Sequence, residues 1–277
     1  LTKVEDVRHA APGSGLLIDM DGVLFHGDRA LPGAREFLDR VTGSPYLFLT
    51  NNPTRLPTEV SAQLARLGLG RHSPERVLTS GQAAAAWLAR EHPGFRYYAV
   101  GADGLDRVLA TVGTADPENA DVVVVGEGPG LDYESLAIGI NLVLKRGARL
   151  VVTNPDTTVD ADRDGAHWVL PGGGALVAPF AVATGCEPVV IGKPEPLLYE
   201  LAADRLGVPV HRCVMLGDRP DTDIAGAARL GMKTVLVRTG RFPPGTPWPE
   251  GLPLADWDFP DLAALLLQFE DVFGDLR

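Results

Sequence analysis

The chain has 277 residues, enough for one large or two ordinary domains and for a sizeable buried core. Hydrophobic residues make up 45% and charged residues 22%, values that argue against disorder, collagen-like repeats and fibrous classes. With 25 basic and 36 acidic residues the net charge is −11, which argues against a general nucleic-acid or anionic-membrane binder and makes any phosphorylated substrate a puzzle.

In chain order, residues 1–15 mix Glu5, Asp6, Arg8 and His9 without an apolar stretch, so they read as a frayed arm and not as a secretory signal. Short apolar runs then recur at 16–19, 46–50, 96–100, 121–125, 149–153, 189–191, 213–216 and 233–237. Continuous apolar runs of this length suit strands covered on both faces. Segments of helical period lie between them, at 57–67, 82–90, 104–111, 133–145, 174–183, 196–206 and 223–230, with a last one at 262–269. Pro57 and Pro196 suit first-turn positions, while Gly68, Gly147, Gly207 and Gly231 stand where C-terminal caps belong. The alternation is that of βα units on a parallel sheet, so the expected class is α/β. Residues 240–254, rich in Pro and Gly, read as a surface loop. No window of 18 apolar residues occurs, so no membrane span is expected. Cys186 and Cys213 form no CxxC pair, which leaves a soluble protein of the reducing cytoplasm as the expectation.

In parallel α/β sheets ligands bind outside the carboxyl ends of the strands, so the polar residues after each run are the candidates for chemistry. Asp19-Met20-Asp21-Gly22 follows the first run. A turn at Gly22 can fold the second carboxylate back over the first, so that one attacks and the other trades a proton; an Asp-rich strand-end turn is the alternative. Thr50-Asn51-Asn52 can hold an anionic oxygen with a hydroxyl and successive N–H groups, or can be an ordinary Asx turn. Lys193, between Gly192 and Pro194, can neutralise a phosphoryl oxygen or simply be solvated. Gly217-Asp218-Arg219-Pro220-Asp221-Thr222-Asp223 offers three carboxylates to a hard cation, or caps the helix that follows. Elsewhere, Gly172-Gly173-Gly174 lacks the Lys-Ser/Thr of a P-loop and reads as a helix entry. The six histidines show no ligand spacing, and Trp87 reads as packing in an Ala-rich helix.

Jointly and in this order, DMDGV at Asp19, LTNN ending at Asn52, IGKP around Lys193 and GDRPDTD from Gly217 resemble the haloacid-dehalogenase-like (HAD) phosphatase superfamily. TNPD at 153–156, PGGGALVAP at 171–179 and ATG at 183–185 extend the resemblance to its NagD-like subgroup, over about 16–240. The resemblance implies a Rossmann-like core from 1–79 and 188–277 with an inserted α/β cap at 80–187. It further implies a small phosphorylated metabolite as substrate and a homodimer through the cap. By the same resemblance Asp19 is the nucleophile that becomes an aspartyl-phosphate and Asp21 the general acid and base. Thr50, Asn51 and Lys193 hold the phosphoryl group. Mg²⁺ is bound by Asp19, the Asp21 carbonyl and Asp218, with Asp223 orienting that shell. Candidate substrate selectors are Asn52, Arg55, Glu127, Asn154, Asp156 and Asp160. Related sequences commonly carry Pro in place of Asp160 and a bulkier side chain near Glu127 and Gly128, so the leaving-group pocket is expected to differ. Phosphoglycolate, glycerol phosphate, sugar phosphates, nucleotides and pyridoxal phosphate are all open as substrates. The rival readings are a metal-independent dehalogenase, which Asp21 with Asp218 disfavours, and a non-catalytic receiver or phosphate-binding module, which the long insertion disfavours.

Overall fold

Four of the apolar runs, Gly15–Ile18, Tyr46–Thr50, Val122–Val125 and Cys213–Gly217, are buried at every position, as strands covered on both faces must be. They belong to a computed structural model that describes residues 10, 13–163 and 166–274. It divides into two units, Leu1–Leu49 with Ser61–Val77 and Tyr199–Arg277, and Thr50–Val60 with Leu78–Leu198.

The first unit is built on a six-stranded sheet in the order Trp257–Phe259, Lys233–Val237, Cys213–Gly217, Gly15–Ile18, Tyr46–Thr50, Val77–Thr79. The defined pairings are parallel, and Ile18 lies opposite both Leu216 and Phe48. That register makes Asp19 and Asp218 leave the sheet at the same edge, with the Asp19 N–H bonded to Leu216 O at 2.9 Å. A helix at Ala34–Val41, absent from the sequence expectation, buries Ala34, Phe37, Leu38 and Val41. Its i, i+3, i+4, i+7 spacing was visible, and Phe37 packs its ring against Phe269 and Phe273. Residues 240–254 form the expected surface loop, and aromatic anchors hold it down. Phe242 is buried with Ile224 and Leu236, Trp248 packs against them, and Arg238 pairs with Asp258 at 2.6 Å. The expected frayed arm at 1–15 lies largely outside the described residues, but the Ala10 N–H bonds Val272 O at 2.9 Å.

The second unit has its own parallel five-stranded sheet, ordered Val189–Val190, Arg149–Val152, Val122–Val125, Arg96–Val100, Thr114–Ala115. Helices Tyr133–Arg146 and Gly173–Thr184 cover it, with Leu142, Val143, Val177 and Phe180 in one buried cluster with the strand valines. Gly139 lets the two helices close up, since a Cβ there would run into the Phe180 ring. Helix ends are set locally: Asp132 caps Ser135 N–H at 2.7 Å, and Gly147, left-handed at φ 71°, ends the same helix. A hairpin of Thr158–Arg163 and Ala166–Pro171 was not expected, because its strands are not the continuous apolar runs by which the others were found. The Asp164-Gly165 pair between the strands is a hairpin signal that sequence reading could have used. Among the described residues no helix is long and apolar enough to cross a membrane.

Phe180 is fully buried in this cluster. Phe180→Ala should therefore cost about 3–5 kcal/mol of stability, read as a lower urea midpoint at little-changed slope.

Candidate active site

In the first unit the parallel register brings the carboxylates of Asp19, Asp218 and Asp223 together, with one oxygen of each within 4.8 Å of the others. All three are buried; Asp223 is 0% exposed. Asp19 follows the Gly15–Ile18 strand, Asp218 follows Cys213–Gly217, and Asp223 returns on the wide, π-helical Pro220–Ile224 turn. Glycine makes this convergence sterically possible. A Cβ at Gly22 or Gly240 would overlap the Asp218 carboxylate, and one at Gly217 would overlap Asp223. Gly22 is also left-handed at φ 79°, and the turn it makes bonds Leu24 N–H to Met20 O at 2.8 Å. Asp21 sits in that turn with an exposed side chain and is outside the carboxylate cluster.

Main-chain donors fix the cluster. Arg241 N–H donates to Asp218 Oδ2 at 3.0 Å and Arg219 N–H to Asp223 Oδ2 at 3.1 Å. Tyr199, buried below, donates its hydroxyl to Thr222 O at 2.6 Å. Burial and the nearby Asp223 and Asp19 charges push its phenol well above the ordinary value. Burial works to raise the Asp221 carboxyl, but the hydrogen bonds and charge of Arg219 carry it below the usual range. Arg219 and Arg241 line a cavity of about 370 Å³ with Phe242 and Leu252. None of these supporting contacts was read from the sequence; the glycines at 22, 217 and 240 were the available signal.

Two like charges about 4–5 Å apart repel by roughly 3–4 kcal/mol at an effective dielectric near 20. Three buried carboxylates at this spacing fit a site for a hard divalent cation, since all the donors are oxygen and the cation offsets the repulsion.

The second unit holds a polar grouping of its own residues. Thr50 Oγ1 accepts Asn52 N–H at 3.1 Å, and Asn52 Oδ1 accepts Thr54 N–H at 2.8 Å, so an Asx turn is present after this strand. The Asn51 carboxamide is bonded to the Lys193 main chain and to Asp156. Asn154, 0% exposed, donates to Asn51 O and to Glu127 Oε1, both at 2.8 Å. Glu127, Asn154 and Asp156 are thus buried in a hydrogen-bonded network, while Arg55 and Asp160 are exposed, Asp160 beside His167 Nε2 at 3.0 Å. The Gly172-Gly173-Gly174 run does open a helix, and its lack of side chains lets it press on the 154–156 backbone. Trp87 packs under the Arg149 guanidinium at 5.3 Å.

Residues 16–115 match the family described as haloacid dehalogenase-like hydrolase, and residues 190–248 match a second, HAD-hydrolase-like family. The chain is 37% identical over 228 residues to the acid sugar phosphatase of Staphylococcus aureus (strain USA300), covering 81% of this chain and 86% of that protein. Among solved structures it is similar to the p-nitrophenyl phosphatase from Archaeoglobus fulgidus, with a TM-score of 0.83 at 28% identity over 93% of this chain and 99% of that one. NagD from E. coli K-12 is similar at a TM-score of 0.79 and 30% identity, over 91% and 98%.

Tyr199→Phe removes a hydroxyl that bonds Thr222 O, a carbonyl that also accepts the Ala225 N–H. Loss of that one hydrogen bond should cost about 0.5–1.5 kcal/mol, measured by denaturant unfolding.

Proposed function

Since this chain belongs to the haloacid-dehalogenase-like hydrolases, as a phosphatase of their NagD-like subgroup, we propose that it hydrolyses a small sugar phosphate with Mg²⁺ through an aspartyl-phosphate on Asp19. The convergence of the Asp19, Asp218 and Asp223 carboxylates carries this reading. The sugar-phosphate assignment draws on the similarity to the Staphylococcus aureus acid sugar phosphatase.

In this mechanism an Asp19 carboxylate oxygen attacks phosphorus, forming the new O–P bond as the ester O–P bond breaks. Asp21 gives its proton to the departing alcohol and then, as the carboxylate, takes one from the water that attacks the aspartyl-phosphate. Such positioned proton transfer contributes about 10²- to 10⁴-fold. Thr50 through its hydroxyl, Asn51 through its main-chain N–H and Lys193 through its ammonium hold the transferring group. Asn51 is assigned its main-chain group because its carboxamide is taken up by Lys193 and Asp156. Asp19, the Asp21 carbonyl and Asp218 would hold Mg²⁺, with Asp223 orienting them. When bound, the cation supplies neutralisation of charge on the phosphoryl oxygens. Residues 80–187 act as the cap that excludes bulk water and chooses the leaving group, and the same reading includes a cap-mediated homodimer in the cytoplasm.

Chelation with EDTA should abolish p-nitrophenyl phosphate hydrolysis and added Mg²⁺ should restore it; full activity after chelation would sink the metal assignment. Asp19→Asn should keep the thermal transition and reduce kcat by at least about 10³-fold, as loss of a covalent nucleophile does. A panel of phosphate esters ranked by kcat/KM should place sugar phosphates above phosphoglycolate, nucleotides and pyridoxal phosphate.

A further inference from the structure

Every hydrogen-bonding role available to the Asn51 carboxamide nitrogen is used on other groups. Its Nδ2 donates to Lys193 O at 2.9 Å and to Asp156 Oδ2 at 2.9 Å. Its Oδ1 accepts the Lys193 N–H at 2.7 Å. One planar amide thus grips both main-chain polar groups of a single residue, as a neighbouring strand would. The grip is braced from behind: Asn154 Nδ2 donates to Asn51 O at 2.8 Å, and Asp156 N–H donates to Asn154 Oδ1 at 3.1 Å. Ser80 adds its hydroxyl to Asn51 O. Gly192, just before Lys193, leaves no room for a Cβ between Asn51 Oδ1, Thr153 O and Asn154. Lys193 itself is 3% exposed.

We propose that Asn51, braced by Asp156, is a positioning residue that acts through Lys193, fixing its main chain so that the ammonium meets the transferring phosphoryl group. The proposal rests on the phosphatase mechanism above and deepens it. A buried lysine has little rotamer freedom to correct a displaced backbone, and a misplacement of about 1 Å can cost about 10²-fold in rate. Only an amide serves at position 51. A carboxylate lacks the donors for Lys193 O and would face Asp156 with like charge, and a hydroxyl cannot reach both main-chain groups at once.

The test is a double-mutant cycle on kcat/KM for p-nitrophenyl phosphate, using wild type, Asn51→Asp, Lys193→Ala and the double variant, each shown by thermal melting to be folded. Asn51→Ser, smaller and uncharged, replaces Asn51→Asp in the cycle if the latter does not fold. In the wild-type background the Asn51 substitution should lower kcat/KM by about 10- to 100-fold. In the Lys193→Ala background its effect should shrink at least fivefold, because the group it positions is gone. Shrinkage smaller than that, or a folded Asn51 variant within twofold of wild type, would overturn the positioning role and leave the mechanism standing. Unchanged activity in Lys193→Ala alone would instead overturn the phosphoryl-holding role of Lys193, and this proposal with it.

Discussion

The mutual repulsion of three buried carboxylates is the constraint around which the first unit is organised. Asp19, Asp218 and Asp223 would separate if the chain let them, and nearly every special feature nearby prevents it. The parallel register aligns two strand ends, a π-helical turn returns the third acid, and glycine at 22, 217 and 240 removes the Cβ atoms that would hold them apart. The Arg219 and Arg241 N–H groups and the Tyr199 hydroxyl then tie down the carboxylates and their turn. A site built at this expense suits chemistry in which negative charge must be gathered around a cation and aimed at phosphorus.

The second unit solves a different problem, which is how to fix residues that follow several strand ends without regular secondary structure. Two asparagines do so, Asn51 and Asn154, because an amide offers donors and an acceptor in one plane and brings no charge. Between them they join residues after the Tyr46–Thr50, Val122–Val125, Arg149–Val152 and Val189–Val190 strands. Glu127 and Asp156 gain a physical role from this, since each buried carboxylate accepts from one of the two amides. The acidic net charge ceases to be a puzzle at this scale. Binding one small anion depends on a few oriented positive groups, and the balance over 277 residues does not control them.

Much of the fold was legible because buried parallel strands and their connecting helices advertise themselves. The Val122–Val125 run and the glycine-ended helix Tyr133–Arg146 are examples. What escaped reading was less conspicuous. The Thr158–Arg163 strand alternates polar and apolar residues, but its apolar side holds only Val159 and Ala161 before Arg163, so it did not stand out among the continuous apolar runs used to find strands. The 240–254 segment is the loop its Pro and Gly content indicated, but its anchoring through Phe242 and Trp248 was not read. For Glu127, Asn154 and Asp156, named as candidate selectors, no sequence signal pointed to the burial and mutual hydrogen bonding that the structure shows.

The sequence by itself determined the α/β class, the family and the order of the motifs, since these depend on local patterns that survive in one dimension. Only the tertiary structure decided how the carboxylates that the resemblance names are brought together and which asparagine side chains are spent on holding other residues. Asp19 and Asp218 are about two hundred positions apart in the chain, and Asn51 and Lys193 are separated by 142. Their meeting is a matter of strand register and of the space left by missing Cβ atoms, which no local pattern encodes.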